Sequence, residues 1–270
     1  MTTSTLNEEM TTNPQVEKLL LGLRHLPGGS DTYNRILFEL RDPAGTLEQV
    51  GHFVASDPAI TTEVLKNANS AALGFSRIVT DPKDAAMLLG GEQVLAIVMM
   101  VDVFTLCEHT VCKGFSVAEY FRHSRMVAWN AQALMRTVTN DREVLGAAFT
   151  SGLLHDIGKL LFAVNYPDEY RNCHDNKKET HRLGATHTEL GAHFLASREL
   201  PTSVVDAVRK HDQLDAVGSG DLSLSDCLFI ANLQEHHRSQ TTPSAGKLSK
   251  QIALVGKRFG IRRLFEFALT

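Results

Sequence analysis

Hydrophobic and polar positions recur along this chain with helical spacing almost throughout. Asn13-Pro14 reads as an N-cap followed by proline at the first helical position, and Leu19, Leu20 and Leu23 supply an apolar stripe before Pro27-Gly28-Gly29 ends it. Asp57-Pro58 repeats the start signal. Ile60, Val64, Leu65 and Ala68 then form its inward face, and Asn67, Asn69 and Ser70 crowd its end. Asp81-Pro82 opens a third such helix, which closes at Leu89-Gly90-Gly91. Val94 to Leu106, interrupted by Asp102 and Thr105, falls short of a bilayer span and predicts a buried core helix. No segment alternates with the period of a strand and no Asn-Gly or Asp-Gly hairpin signal occurs, so the pattern predicts an all-α fold.

The second half carries ligand-type residues inside this pattern. Ala148 to Leu161 is an apolar helical run in which His155 and Asp156 stand where a core would take leucine, with Gly158 leaving room beside them. Neighbouring helical positions point about 100° apart, so the two side chains can meet one ion only from a shared edge. His123 shares a face with Val127, Ala131 and Leu134, which points it inward. His187 has Gly191 one turn on, and His211-Asp212 ends an apolar helix. Each histidine taken singly reads as an ordinary core or helix-end residue; taken together around the His-Asp pair, they read as one cation site.

Composition narrows the function. The chain has 270 residues, 43% hydrophobic and 21% charged, enough for a large core in one or two lobes. A formal charge of −4 gives no basic field for general nucleic-acid binding. Cys107, Cys112, Cys173 and Cys227 form no pair or framework and read as reduced cytosolic thiols, so a cytoplasmic location is expected. The first dozen residues are polar, lack a signal-peptide pattern and are expected to be loosely ordered. Asn67, Asn69 and Ser70 suit either a ligand phosphate or, preferably, the capping of their own helix. His236-His237, followed by Arg238, reads as a solvated helix end. Near the carboxyl terminus, Lys257, Arg258, Arg262 and Arg263 interleave with Phe259, Leu264, Phe265 and Phe267, as in an amphipathic helix that caps a bundle. Neither a P-loop nor a G-x-G-x-x-G fingerprint is present.

G-L-L-His155-Asp156-I-G-K, preceded by R-His123-S and followed by His187-T-E-L-G-A, L-P-T-S-V-V and K-His211-D, resembles the HD superfamily of metal-dependent phosphohydrolases. Asp57-P-A-I-T-T-E-V-L-K-N-A-N-S-A-A-L-G, followed by D-A-A-M-L-L-G-G, is similar to the amino-terminal signature of the HDOD subgroup. The likeness runs from about Pro14 to His211. It implies an all-helical HD-superfamily bundle in which residues 1–13 are a flexible amino terminus and residues 14–270 form the HDOD domain. Within that domain the expectation is an amino-terminal helical lobe over about 14–91, an HD-like lobe over about 92–215 and carboxyl-terminal helices over about 220–270.

The same resemblance implies metal ligands at His123, His155, Asp156, His187 and His211, catalytic roles for Asp156 and Lys159, and a divalent ion such as iron, manganese, zinc or magnesium. Lys159, one turn from His155, is placed to hold a phosphate. Metal enzymes of the superfamily carry a second aspartate on a later helix, where this chain has Asn232; Asp226 lies nearly on the opposite face. After His211 the G-Y-P segment of the cyclic-dinucleotide phosphodiesterases is missing, and Asp212 stands in place of their second histidine. Metal binding is therefore expected to be weak or absent. The favoured function is a regulatory signalling module that acts on a signalling protein by contact, away from membranes, with a phosphate-containing ligand as a further partner. The alternative is a metal-dependent phosphohydrolase acting on phosphomonoesters or phosphodiesters.

Overall fold

The computed structural model describes residues 13–25, 29–70, 78–107, 112–171, 173, 175–213 and 222–239. The first dozen residues, Pro27-Gly28 and the basic, aromatic segment after residue 252 lie outside them. Among the described residues every regular element is a helix.

The three Asx-Pro signals start helices in the expected way. The Asn13 side chain accepts from the amide of Gln15, Asp57 from those of Ala59 and Ile60, and Asp81 from that of Lys83, opening α1 (Pro14–Gly22), α4 (Pro58–Ala68) and α5 (Pro82–Leu89). Two helices between them, α2 (Asp31–Arg41) and α3 (Leu47–Ala55), escaped the sequence reading because Ser30 and Thr46 cap them without a following proline. Of the amides at the end of α4, Asn69 has a structural role. Asn69 Nδ2 donates to the carbonyls of Leu65 and Val79, and its Oδ1 accepts from the amide of Val79. One side chain thus closes the helix and pins the chain that returns toward α5.

Gly90, at φ 87°, turns the chain from α5 into α6 (Gly91–Cys107), whose residues Val94, Ala96, Ile97, Val98, Met99, Met100 and Val103 are buried as expected. α7 (Val117–Met135) and α8 (Arg142–Leu154) pack closely because Gly152 has no side chain; a Cβ there would lie 2.4 Å from Ala128 Cα. The expected single helix through His155 is broken. α8 ends at Leu154 and α9 (Ile157–Asn165) begins at Ile157, with Asp156 at φ −96°, ψ 12° between them. The break is the correction that matters for chemistry, because it releases the pair from strict 100° spacing and turns both side chains toward one point. Together α8 and α9 are long and apolar enough to cross a membrane, yet 94% of the 18-residue window that passes that test is buried in this protein's own interior.

A short α10 (Pro167–Tyr170) and α11 (Asn176–Leu183) lead to α12 (His187–Ser197), α13 (Thr202–Lys210) and α14 (Leu224–Ser239). α12 crosses α9 at two glycines: Gly191 is packed against Gly158, whose own Cβ would fall 1.9 Å from the carbonyl oxygen of His187. Because that obstacle is backbone, no rotamer change can relieve it. Gly158→Ala should therefore push α12 off α9 and cost about 3 kcal/mol or more, a melting-temperature fall on the order of 6–12 °C. Thermal unfolding followed by circular dichroism measures it, and an unchanged melting point would contradict the crossing.

Candidate metal centre

Five stretches of the chain deliver side chains to one point. His123 comes from α7, His155 and Asp156 from the α8–α9 break, His187 from the first position of α12, His211 and Asp212 from the end of α13, and Asn232 from α14. All five sequence-derived ligand candidates are brought together: His123 Nε2 is 3.2 Å from His155 Nε2, and His187 Nε2 is 3.4 Å from His211 Nε2. Asp156 lies between the pairs. Its Oδ2 is 3.3 Å from His155 Nε2 and 3.9 Å from His123 Nε2, and its Oδ1 is 3.4 and 3.3 Å from the Nε2 atoms of His187 and His211. Two trios result, His123–His155–Asp156 and Asp156–His187–His211, each with its ligand atoms within 4.8 Å of one another.

The hydrogen bonds on the far side of each ring fix where its lone pair points. His155 Nδ1 lies 2.8 Å from the Gly152 carbonyl, and His211 Nδ1 lies 2.6 Å from the Val208 carbonyl. A carbonyl can only accept, so both Nδ1 atoms carry a hydrogen, and in its neutral form each ring turns an Nε2 lone pair to the centre. His187 Nδ1 is held the same way by Glu179 Oε2 at 2.8 Å, and that oxygen also takes the His187 amide at 2.7 Å. Glu179 was not found from sequence. It sits on α11, eight residues before its partner, and only 1% of its surface is exposed. A carboxylate behind a ligating imidazole both orients the ring and raises its basicity.

The two halves then differ. Asn232 Nδ2 leans toward Asp212 Oδ1 at 3.5 Å, which turns Asn232 Oδ1 toward His123 Nε2 at 3.1 Å. The hydrogen of that contact must belong to His123, and the same N–H reaches the bare Nε2 of His155. Burial, and then His155, push the His123 pKa down to about 3, so this ring holds a single proton at neutral pH. Lys159 Nζ binds Asp156 Oδ2 at 2.8 Å. One proton and one ammonium therefore satisfy this half.

In the other half the side-chain amides of Asn232 and Asn176 reach Asp212 Oδ1 and Oδ2 at 3.5 and 3.3 Å, but with both rings neutral no donor reaches the two ring nitrogens or Asp156 Oδ1. His187 and His211 face each other with bare nitrogens, Asp156 Oδ1 is buried without a hydrogen bond, and Asp212 Oδ2 and Oδ1 stand 3.4 and 3.5 Å from the two rings. Two imidazoles and one carboxylate with their ligand atoms within 4.8 Å of one another, and Asp212 beside them, suit a divalent ion of the borderline or harder kind. The same carboxylates that suit an ion also favour a competing proton on His211. Burial opposes charge on His211, but Asp212 and Asp156 outweigh it and raise its pKa, whereas burial and Lys159 lower that of His187. Burial also disfavours the Asp156 carboxylate, yet His155 and Lys159 hold it well below the usual range.

One expectation is corrected. His236 is not a solvated helix end: it lies one turn beyond Asn232 on the same face of α14, its ring centroid 4.9 Å from that of His123, and burial lowers its pKa. The spacing from Asn232 was the available signal. Asp226, as expected, stays out of the cluster, its Oδ2 accepting from the amide and hydroxyl of Ser223 at the start of α14.

Comparison with known proteins places this geometry. A curated, uncharacterized protein of Treponema pallidum is 22% identical over 213 residues, an overlap of 76% of this chain and 41% of that protein, so the chain spans about two fifths of the relative's length. The crystal structure of an HDOD domain protein of unknown function from Geobacter sulfurreducens superposes with a TM-score of 0.66 at 19% identity, covering 92% of this chain and 88% of its own. A protein from Shewanella amazonensis SB2B, named by inference a metal-dependent phosphohydrolase, gives 0.64 at 19% identity over 91% and 90% of the two chains. The MmoQ response regulator of Methylococcus capsulatus gives 0.52 at 26% identity over 92% and 99%. The HDOD domain family model matches residues 26–214, from the second helix through the last histidine of the cluster, and the chain belongs to the HDOD family.

Proposed function

We propose that this protein is a signalling module that acts by contact with a protein partner and, in place of the weak or absent metal binding expected from Asn232, uses its His-Asp cluster to hold one divalent ion between α9, α12 and α13. The observation that carries the reading is the asymmetry of the cluster: the His123 side is satisfied by a shared proton and the Lys159 ammonium, and the His187 side by neither. When bound, a divalent ion supplies charge neutralisation and a point of attachment for three helices. His187, His211, Asp156 and Asp212 would hold it, with Glu179 fixing the His187 ring.

Hydrolysis of a phosphate ester needs more. An ion must both acidify the attacking water and offset charge growing on the phosphoryl oxygens, and two-ion sites divide those tasks. Asn232 brings no charge to the second position, and Lys159 already neutralises the carboxylate oxygen that an ion there would need. The response-regulator name of the MmoQ relative supports a signalling role. Steady-state assays of cyclic dinucleotides and generic phosphate esters, with manganese or iron added, should show no turnover above that of His155→Ala. Robust metal-dependent turnover by the wild type would establish the phosphohydrolase reading instead.

A further inference from the structure

A groove of about 390 Å³ opens where α4 and α7 flank α6, and its size is that of a small-molecule site. Its floor is apolar, with Ile97 and Met100 of α6 and Leu153 of α8 buried there. Phe104 and Phe121 line it edge to face, their ring centroids 5.4 Å apart, and Phe104 stays 51% exposed. Among the described residues Phe104 is the one large hydrophobic side chain of α4, α6 and α7 that is exposed. The apolar surface is thus confined to the groove and its rim, which suits a small ligand better than a protein, whose interface takes about 800 Å² on each side.

The polar groups along the groove are Thr62, Glu63, Asn67 and Arg125. Three of them are already engaged. Thr62 Oγ1 donates to the Pro58 carbonyl, Glu63 Oε1 pairs with Lys66 Nζ at 2.6 Å, and Asn67 Nδ2 donates to the Glu63 carbonyl at 2.8 Å. Asn67 Oδ1 is sealed from the surface and offers the groove nothing. Arg125 is different: it stands exposed on α7, with no carboxylate in ion-pair range among the described residues. Since Lys66 offsets Glu63, the groove presents an apolar floor and one uncompensated positive charge.

We infer that this groove binds a medium-chain fatty acid, its alkyl chain on the floor of Ile97, Met100 and Leu153 and its carboxylate on the Arg125 guanidinium. The fork of a guanidinium takes a carboxylate through two parallel hydrogen bonds. A monoanion matches the single free charge, whereas a phosphate monoester carries nearly two. An unbranched chain also suits a floor that includes methionine, whose flexible thioether adapts to what lies against it.

Isothermal titration of the full chain with octanoate, decanoate and decanamide, with metal removed by chelator, tests the inference. One equivalent of decanoate should bind, about tenfold more tightly than octanoate because two more methylenes leave water. Decanamide, with the same chain and no charge, should bind roughly three- to tenfold more weakly than decanoate. Arg125→Gln should remove that difference, and Ala59→Phe, which fills the groove from an exposed position on its rim, should abolish binding of both. Arg125→Gln alters only an exposed side chain, so the test stands even where Ala59→Phe fails to fold. His211→Ala binds decanoate as the wild type does, which separates this result from the fate of the metal reading. Absence of saturable decanoate binding overturns the inference and leaves the groove to a protein segment. So does uptake of several equivalents, which is adsorption of a surfactant, or binding that neither Arg125→Gln nor Ala59→Phe alters. A chain that is dimeric in gel filtration and monomeric only as Ala59→Phe would overturn it too, because a second copy would then cover the groove.

Discussion

Manganese or zinc added to the purified protein should bind at close to one equivalent per chain, and that equivalent should vanish in His187→Ala and His211→Ala while surviving in His123→Ala. The difference follows from where hydrogens sit. The carbonyl of Val208 and the carboxylate of Glu179 fix the Nδ1–H of His211 and His187, so their Nε2 lone pairs and Asp156 Oδ1 make a three-atom cation trap with Asp212 beside it. His123 has its Nε2 hydrogen committed to Asn232 and His155 and contributes nothing to that trap. Glu179→Gln keeps a side chain of the same shape but loses the charge behind His187, and should weaken the ion by roughly 10–100-fold. At a free metal concentration a hundred times the dissociation constant, the ion stabilises the fold by about 2.7 kcal/mol. The melting temperature should rise accordingly, by roughly 5–11 °C.

Acidity should work against the ion in a definite direction. Asp212 and Asp156 raise the pKa of His211 against the effect of burial, so a proton competes for its Nε2 at a higher pH than at an ordinary histidine. Metal affinity should therefore fall as pH drops through that raised value and level off above it. Elemental analysis and metal titration of the four variants read all of this. Two tightly held equivalents in the wild type, or an ion retained by His211→Ala, would contradict the one-ion site.

How much of this was legible beforehand depends on the range over which each feature is encoded. Helix starts with Asx-Pro are local, and Asn13, Asp57 and Asp81 all cap as their sequence suggests. The inward phase of His123 is legible because Val127, Ala131 and Leu134 share its face, and all three are buried. What sequence periodicity cannot supply is the break at His155-Asp156. Both halves of that run are apolar, and only the tertiary crossing of α9 over α12, permitted by Gly158 and Gly191, decides where the helix stops. Glu179 was missed for a related reason. Its helix has a strongly polar sequence, K-K-E-T-H-R, and nothing local marks one of its charges as buried. Asn232 was legible as an amide on the later helix. The hydrogen-bond direction it imposes on His123 is visible only once Asp212 is seen on its other side.

Asn232→Asp should convert the self-satisfied half of the cluster into a second ion site. The substitution turns the neutral acceptor facing His123 into a carboxylate next to Asp156 and Asp212. Without metal, three carboxylates then crowd a buried space, and the chelated variant should melt below the chelated wild type, since like charges repel strongly where water is excluded. With manganese or iron the order should reverse. A second ion would find His123 once that ring carries its hydrogen on Nδ1, together with His155, the new carboxylate and Asp156 Oδ2, and would have to displace the Lys159 ammonium, which is then free to meet a phosphate. Charge neutralisation by a bound ion is worth several kcal/mol in the transition state, and each 1.36 kcal/mol is tenfold in rate. Turnover of phosphate esters by Asn232→Asp should therefore exceed that of the wild type by roughly 10²–10³-fold, together with a second equivalent of metal. Activity in the variant alone marks the wild-type cluster as a hydrolytic site disarmed by one amide. If Asn232→Asp takes up no second ion and its melting point does not respond to metal, His123 and His155 belong to the packing of α7 on α8, and the account of the two halves fails.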